Sequence, residues 1–401
     1  MKSFSIKSAL RPAVLLLLAF VALTAGAKEV TIGKLRYKVN TTDKIAKCTG
    51  LAEEATKNYN LTIPSTVVYD GVTLKVTTVE KEAFMWDTYL KKVTLSDYTE
   101  TIGSKAFYCC ENLSVVSLGK KLKIIGAEAF AHAGLSGTFT TITFPSTLEI
   151  IRNNAFEDCR YLATINFNDK LQSIGVAAFW GCESVKSLLL PGSLQTISSK
   201  AFESCGSLVE VTFQSGNGNT VIDEDSFDNN KALTILNFQG PGVAKIGAGA
   251  FCGCALQWIY IPPSVHTIDY CAFWSNNISI IELSEGLKTI GEMAFAEQRG
   301  DGVSALTIPS TVTSIGRRAF DYVGVPPILK SNAVNPPAAG ETAFNDNVQA
   351  WSKLVVPAAS LAKYRAAAVW KDFRYINDTD SHEVGVELVE MSPEEAAVVE
   401  H

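Results

Sequence analysis

The sequence predicts an α/β solenoid, a right-handed coil of repeated units with short parallel strands on one face and short helical or irregular turns on the other. Two observations predict it: one unit recurs along most of the chain, and each copy contains an alternating apolar run typical of a short strand. Each unit of such an array contacts mainly its neighbours. The 401 residues therefore do not indicate two or three globular domains, as length alone would.

The most regular part of the unit is a phenylalanine that usually follows an alanine. An apolar β-branched residue lies five positions before it in eleven of twelve copies, whereas the distance from one Phe to the next varies around a mean of about 24 residues. Insertions must therefore fall in loops. The phenylalanines are Phe84, Phe107, Phe130, Phe156, Phe179, Phe202, Phe227, Phe251, Phe273, Phe295, Phe320 and Phe344.

The predicted strand is the alternating run after each Phe, as in Leu162-x-x-Ile165-x-Phe167. Several such runs end at proline, which cannot donate to a strand ladder. The Ile that precedes the next Phe is often followed by glycine, but Arg152 takes that place in one copy. We therefore predict a tight turn there that does not require a positive φ.

The unit Ile-Gly-x-x-x-Ala-Phe-x-x-Cys-x-x-Leu resembles the leucine-rich repeats of bacterial cell-surface proteins of the BspA-like family, over roughly residues 60–357. The stretch 355–373, with Tyr364, Trp370 and Phe373, resembles the end of such arrays in Bacteroides-type proteins, a last strand and a capping helix with aromatic anchors. The resemblance implies a curved leucine-rich-repeat solenoid. It implies adhesion or host interaction more loosely, because this fold serves many functions.

The chain divides into five predicted segments. Residues 1–27 have a basic start, an apolar run and Ala25-Gly26-Ala27, which indicate a cleaved signal peptide. Residues 28–78 are the N-terminal capping strands and first repeat, 79–357 the solenoid, 358–377 a C-terminal capping helix, and 378–401 an acidic tail or linker. We expect a secreted or bacterial cell-surface protein with no membrane span after cleavage of the signal.

The charge pattern argues against nucleic acid as a partner. The formal charge is −6, and residues 378–401 contain eight acids and no Lys or Arg, so residues 28–377 are close to neutral. Nucleic-acid binding requires clustered basic residues.

Catalytic constellations are also missing, and we predict that the protein is not an enzyme and needs no cofactor or metal. Only His132 and His266 lie in the body of the chain, and no nucleophile elbow, phosphate loop or zinc-binding helix motif is present. The outward carboxylates Glu210 and Glu282 should be roughly 14 Å apart, too far for a glycosidase pair.

Five cysteines occupy the third position after a Phe: Cys110, Cys159, Cys182, Cys205 and Cys254. Stacked neighbours could form disulfides in a secreted chain, or the cysteines could be a column of small buried apolar residues. We favour the column, because the total of nine cysteines is odd and they show no pairing pattern. A zinc site is less favoured, since a column does not converge on one point.

The outward positions of the strands are the candidate binding surface. Most are small and polar, but Leu189, Ile235, Trp258, Tyr260 and Ile280 are not. Exposed aromatic and aliphatic residues together are typical of a binding hot spot. The alternatives are that the tail or capping helix packs on them, or that they are ordinary exposed apolar residues.

Arg299-Gly300-Asp301 lies in a Gly-rich insertion, which predicts an exposed loop. The tripeptide is an integrin-binding motif in adhesive proteins, where the Asp carboxylate completes a metal site on the receptor. It is a second candidate site.

These observations favour a secreted or cell-surface protein–protein interaction or adhesion module. Its expected partner is an extracellular protein of the host matrix or of a bacterial surface. The alternative is a glycan-binding accessory protein for a carbohydrate-processing system, with Trp258 and Tyr260 as a stacking platform.

Overall fold

A computed structural model describes residues 27–300 and 302–378 of the chain. The predicted signal peptide, except its last residue, and the acidic tail after Asp378 lie outside the described residues. The described chain is a β-solenoid in which each repeat contributes one strand to each of two strand faces and one turn around its Phe.

One face is a single sheet of sixteen strands, called here the continuous sheet. From β3 onward its main path is parallel, with one strand per repeat, while β1 and β2 form an antiparallel hairpin at its N-terminal edge. Numbered in chain order, its strands are β1 (Lys28–Ile32), β2 (Leu35–Asn40), β3 (Ile45–Leu51), β5 (Thr66–Tyr69), β6 (Val72–Val79), β8 (Thr101–Ile102), β10 (Ile124–Ile125), β12 (Ile150–Ile151), β14 (Ser173–Ile174), β16 (Thr196–Ile197), β18 (Thr220–Ile222), β20 (Val243–Ile246), β22 (Thr267–Ile268), β24 (Thr289–Ile290), β26 (Ser314–Ile315) and β28 (Ala338–Ala339).

The second face, called here the interrupted face, consists of four separate parallel sheets. Most of its strands are those that the alternating runs predict, and most of their central residues are buried. They are β4 (Tyr59–Thr62), β7 (Leu90–Thr94) and β9 (Val115–Ser117); β11 (Thr141–Thr143) and β13 (Thr164–Asn166); β15 (Ser187–Leu190), β17 (Glu210–Phe213) and β19 (Ile235–Phe238); and β21 (Trp258–Ile261), β23 (Ile280–Leu283), β25 (Leu306–Ile308), β27 (Ile328–Ser331), β29 (Lys353–Val356) and β30 (Tyr375–Asp378).

The twelve phenylalanines form one buried column along the solenoid. Neighbouring rings are nearly parallel, with centroids 5.0 Å apart between Phe227 and Phe251 and 5.5 Å between Phe320 and Phe344. Aromatic pairs of this kind stabilise a fold by about 0.5–1.5 kcal/mol each beyond the burial of their area. The column therefore couples each repeat to the next.

The turn around each Phe repeats an unusual backbone. From Phe84 to Phe320, the residues two before and two after the Phe have positive φ, for example Lys105 and Cys109 around Phe107. Such a conformation is unfavourable for residues with a Cβ. Backbone hydrogen bonds between repeats offset this cost, since the amides of Lys105, Phe107 and Cys109 all donate to carbonyls of the next turn at 2.8–2.9 Å.

The Ile positions form strands, and the prediction of a tight turn there was incomplete. Ile125 pairs in register with Ile102 and Ile151 in the continuous sheet. The following glycine does not need a positive φ, as Arg152 indicated. A Cβ added at Gly316 would lie 2.2 Å from the backbone nitrogen of Glu292. Glycine is therefore used here because the backbones of adjacent repeats approach closely.

Helix is confined to the C-terminal end of the described chain. The repeats contain turns where an α/β class would place helices, and the α-helices are α1 (Asp346–Trp351) and α2 (Leu361–Ala366). Segment 358–377, predicted as one capping helix, contains α2 between two 3-10 turns and then the start of β30, which pairs with β29. The handedness of the coil stays a prediction.

The C-terminal end of the column is closed by aromatic side chains. Trp370 is fully buried, contacts Phe344 with ring centroids 5.2 Å apart, and donates from Nε1 to the Pro337 carbonyl at 2.8 Å. Tyr364 is also buried, and its hydroxyl donates to the Ala333 carbonyl. Polar groups of both anchors are therefore satisfied, as burial requires.

Candidate functional site

The five cysteines that lie three positions after a Phe form a buried column, called here the cysteine column, and burial keeps their thiols protonated. All nine cysteines are free, and the five in the column are buried. Each of the five donates from Sγ to the carbonyl of the Phe one repeat earlier, as Cys182 does to Phe156 at 3.3 Å. Burial raises the pKa of Cys205 to about 12 and that of Cys182 well above its ordinary value. The neutral thiols act as packing groups and weak donors, not as nucleophiles.

Two successive repeats depart from the common loop length. Val211, the central residue of its strand on the interrupted face, lies nine positions after Phe202, but Ile259 and Ile281 lie only eight positions after Phe251 and Phe273. After Phe295 the same connection is eleven residues, ending at Leu306.

Each short loop is followed by a repeat whose residue in the cysteine column is an amide, Asn276 after the Phe251 loop and Gln298 after the Phe273 loop. In a loop of common length the backbone amide of Leu208 donates to the Cys205 carbonyl. In the two short loops this bond is replaced by side-chain acceptors, because Leu256 N donates to Asn276 Oδ1 and Ile278 N donates to Gln298 Oε1, at 3.1 and 3.0 Å. An amide thus stands where a thiol would leave a buried donor unsatisfied.

Five exposed apolar residues lie in one row on the interrupted face, called here the apolar row: Ile235, Trp258, Ile280, Ile328 and Tyr375. All occupy the first outward position of their strands, and Trp258 and Ile280 are direct neighbours across β21 and β23. Their exposed fractions lie between 38 and 50 %. The described part of the chain therefore leaves the row open.

The predicted residues do not all join this row. Leu189 is exposed but lies at another position of β15, opposite Thr212 and away from the row. Tyr260 is half-buried and faces Glu282, which accepts a hydrogen bond from Trp258 Nε1 at 3.4 Å. The structure thus brings Ile235, Trp258 and Ile280 together and places Tyr260 beside them.

Sequence reasoning missed Ile328 and Tyr375. Ile328 opens β27 after Pro326-Pro327, and the alternation of Ile-Leu-Lys-Ser is a usable strand signal. Tyr375 falls in the segment predicted as a helix, so its strand was not expected. Register aligns Ile328 with Ile280 across β25, where Leu306 pairs with Ile281 and Leu329, and Lys353 pairs with both Ile328 and Tyr375.

The outward carboxylates have structural partners. Glu210 Oε1 accepts from Asn237 Nδ2 at 3.1 Å and from the Thr212 hydroxyl at 3.2 Å. Glu210 and Glu282 lie on β17 and β23, in separate sheets. Among residues 27–300 and 302–378, no three His, Cys, Asp or Glu side chains group as metal ligands would. Nor does the described chain contain a helix long and apolar enough to cross a bilayer.

The Arg299-Gly300-Asp301 motif is described only in part. Arg299 and Gly300 are exposed, and the backbone amide of Arg299 donates to the Asn276 carbonyl at 2.7 Å. Asp301 lies outside the described residues. The motif remains a prediction.

Comparison with protein families supports the repeat assignment. The family of the BspA-type leucine-rich repeat region matches in six copies, over residues 72–138, 135–241 and 220–347. These ranges cover most of the chain. A search of curated proteins gives no match.

Solved structures of bacterial leucine-rich repeat proteins are similar to the chain. A protein from Bacteroides ovatus is 20% identical with a TM-score of 0.50, over 87% of this chain and 99% of that one. A leucine-rich cell-surface protein from Faecalibacterium prausnitzii is 19% identical with a TM-score of 0.38, over 89% and 96%. At this level of identity the first of these supports the fold alone, and the second carries no argument about this chain.

Proposed function

The chain belongs to the BspA-type leucine-rich repeat family, and we propose that it is a secreted or cell-surface adhesion module that binds an extracellular protein. The repeat architecture supports this role, because a solenoid presents a long surface and its stacked repeats serve as an interaction scaffold. The predicted signal peptide supports the location.

The apolar row carries the proposal. Two aromatic residues and three isoleucines, exposed on two adjacent sheets of the interrupted face, form an array suited to bury area against a partner. Tryptophan and tyrosine are enriched among the residues that dominate binding energy. Transferring such apolar area from water contributes about 25 cal/mol per Å².

The neighbouring column of the same strands supplies a polar rim. Asn237, Glu282, Thr307 and Lys330 occupy the second outward position of β19, β23, β25 and β27. An apolar centre beside polar groups is the usual anatomy of a protein interface. A protein ligand could therefore contact both columns at once.

A binding screen with matched tryptophan variants tests the proposal. The protein would be measured against purified collagen, laminin and fibronectin and against intact bacterial cells. For any ligand found, Trp258→Ala should weaken binding at least about tenfold, as loss of a hot-spot residue does. Trp86→Ala is the control, because Trp86 is exposed on a Phe turn. Equal binding by both variants to every ligand found would reject the apolar row as the site.

Glycan binding at Trp258 and Tyr260 is the second candidate. Its support is the exposed indole of Trp258, but Tyr260 is half-buried, which leaves a small stacking platform. A glycan array with wild type and Trp258→Ala separates the two candidates. A neutral oligosaccharide whose binding disappears in Trp258→Ala, without any protein ligand, would favour glycan capture.

A further inference from the structure

A cavity of about 490 Å³ opens beside the Phe turns of four successive repeats, from Phe227 to Phe295. It is called here the loop groove. Its lining includes Asp228, Asn229, Lys231, Trp274, Asn277 and Arg299. A volume of this size suits a small molecule or a short oligosaccharide.

The two short loops account for the position of the groove. The connections after Phe251 and Phe273 each contain one residue fewer than that after Phe227, and the connection after Phe295 is longer. Residues of both short loops line the cavity, and Arg299 of the long connection forms part of its wall. Recessed loops beside a longer one leave a depression at this place in the array.

Two cations, Lys231 and Arg299, and one carboxylate line the groove. Among the described residues, the side chains of Lys231 and Arg299 form no ion pair and no hydrogen bond, whereas most other arginine side chains of the repeats do. The one carboxylate in the lining is Asp228, and burial raises its pKa above the ordinary value. The groove is thus biased toward an anionic ligand.

Trp274 adds an aromatic surface and an unused donor. Its side chain is half-buried, and its Nε1–H has no acceptor among the described residues although the atom is inaccessible to solvent. A buried indole N–H ordinarily finds a partner. A ligand oxygen in the groove would supply one after a small side-chain adjustment.

The backbone of the groove has little to offer an extended peptide. The amides of Gly253, Ala255, Ser275 and Asn277 all donate to carbonyls of adjacent repeats. Peptides that add to a protein edge depend on free main-chain donors and acceptors. The available groups are instead side chains: a carboxylate, two asparagine amides, two cations and an indole.

We propose that the loop groove binds a carboxylate-bearing sugar, a uronic or sialic acid residue of a glycan. Arg299 binds the carboxylate, and Lys231, at the equivalent position three repeats away, adds electrostatic attraction. Asp228, Asn229 and Asn277 contact ring hydroxyls, and the sugar face packs against Trp274. This site is separate from the apolar row, so its failure would leave the adhesion proposal intact.

Titration of matched monosaccharides tests the groove. The probes are the methyl glycosides of glucuronic, galacturonic and N-acetylneuraminic acid, with methyl glucoside as the neutral counterpart, observed by saturation-transfer NMR and by tryptophan fluorescence. At the binding energy per atom typical of small ligands, at least one acidic probe should bind with a Kd on the order of 1 mM. Methyl glucoside should bind at least about tenfold more weakly, since it lacks the charge-assisted bonds.

Variants assign the binding to the groove. Arg299→Gln should weaken binding of the acidic probe at least about tenfold. Trp274→Phe, which retains a ring but has no N–H, should weaken it about three- to tenfold. Arg152→Gln is the control, because Arg152 is exposed far from the groove. The proposal fails if no acidic probe binds, if the neutral probe binds equally, or if Arg152→Gln has the effect of Arg299→Gln. Tighter binding of a capped glutamate tripeptide than of any sugar would assign the groove to acidic peptides and also overturn it.

Discussion

Two parts of the solenoid have the same scaffold and different surfaces. In the regular repeats, from Phe156 to Phe227, the central strand residue lies nine positions after its Phe. In the irregular repeats, from Phe251 to Phe295, it lies eight, eight and eleven positions after the Phe. The Phe column and the continuous sheet run through both parts without a break.

The difference shows where this fold tolerates change. The irregular repeats contain Trp258, most of the lining of the loop groove and the Arg299-Gly300 segment, whereas the outward positions of the regular repeats are mostly small or polar, with Leu189 and Ile235 as exceptions. Loop length therefore varies independently of the column, and the changed loops create surface features. The cost appears inside, where Asn276 and Gln298 must satisfy amides that a longer loop satisfies by itself.

The largest expected effect tests whether the column is equally strong in both parts. Phe202→Ala and Phe273→Ala should each lower the free energy of unfolding by about 3–5 kcal/mol, because both rings are fully buried. Denaturant titration followed by circular dichroism would measure it. A much smaller loss for Phe273→Ala than for Phe202→Ala would show that the irregular repeats are weakly coupled to the rest.

A smaller effect should separate two asparagines in the same column. Asn276→Cys leaves the Leu256 amide without its acceptor, so stability should fall by about 1–3 kcal/mol. Asn230→Cys is the matched control, because Asn230 Oδ1 has no partner among the described residues and the cysteine restores the common residue. It should change stability by less than about 1 kcal/mol.

Hydrogen exchange gives the local readout for this pair. Relative to wild type, the Leu256 amide should exchange faster in Asn276→Cys and at the same rate in Asn230→Cys, since exchange reports local opening. If the Leu256 backbone amide exchanges at the same rate in both variants, loop length does not explain why amide side chains replace cysteine in the column.

Part of this contrast could be predicted from the sequence. The five-residue spacing before Phe156 and its equivalents identified the column, and the alternating runs predicted most strands of the interrupted face, but not β30. The N-terminal strands of the continuous sheet were predicted as capping strands, but its strands in the repeats were missed because most are two residues long, as at Ile150–Ile151, too short to show an alternation. The groove could have been anticipated by counting from Phe251 to Ile259, but a one-residue deletion shows its effect only when neighbouring loops are compared in space.

Alkaline pH should affect the regular repeats through their thiols. Burial raises the pKa of Cys205 from 9.0 to about 12, so the folded state retains a proton that the unfolded state loses. Stability is therefore fully present below about pH 9 and falls as the pH rises toward 12, by up to about 1.4 kcal/mol per pH unit for one thiol. Denaturation midpoints at pH 8, 9.5 and 10.5 would measure it. The difference between wild type and Cys205→Ala should shrink as the pH rises, and parallel curves would contradict a thiol that stays protonated in the fold.

The smallest structural effect, and the most specific functional one, concerns the long connection after Phe295. Asp301→Glu keeps the charge but lengthens the side chain, so a receptor metal site that fits Asp should lose the ligand while stability changes by less than about 0.5 kcal/mol. Integrin-dependent cell attachment to immobilised protein would be compared for wild type, Asp301→Glu and the control Asp169→Glu, which alters an aspartate of a regular repeat. Attachment should fall only for Asp301→Glu. Asp301→Glu leaves the groove cation Arg299 in place. Unchanged attachment would therefore reject the integrin-binding motif and leave the groove and the apolar row as the candidate sites.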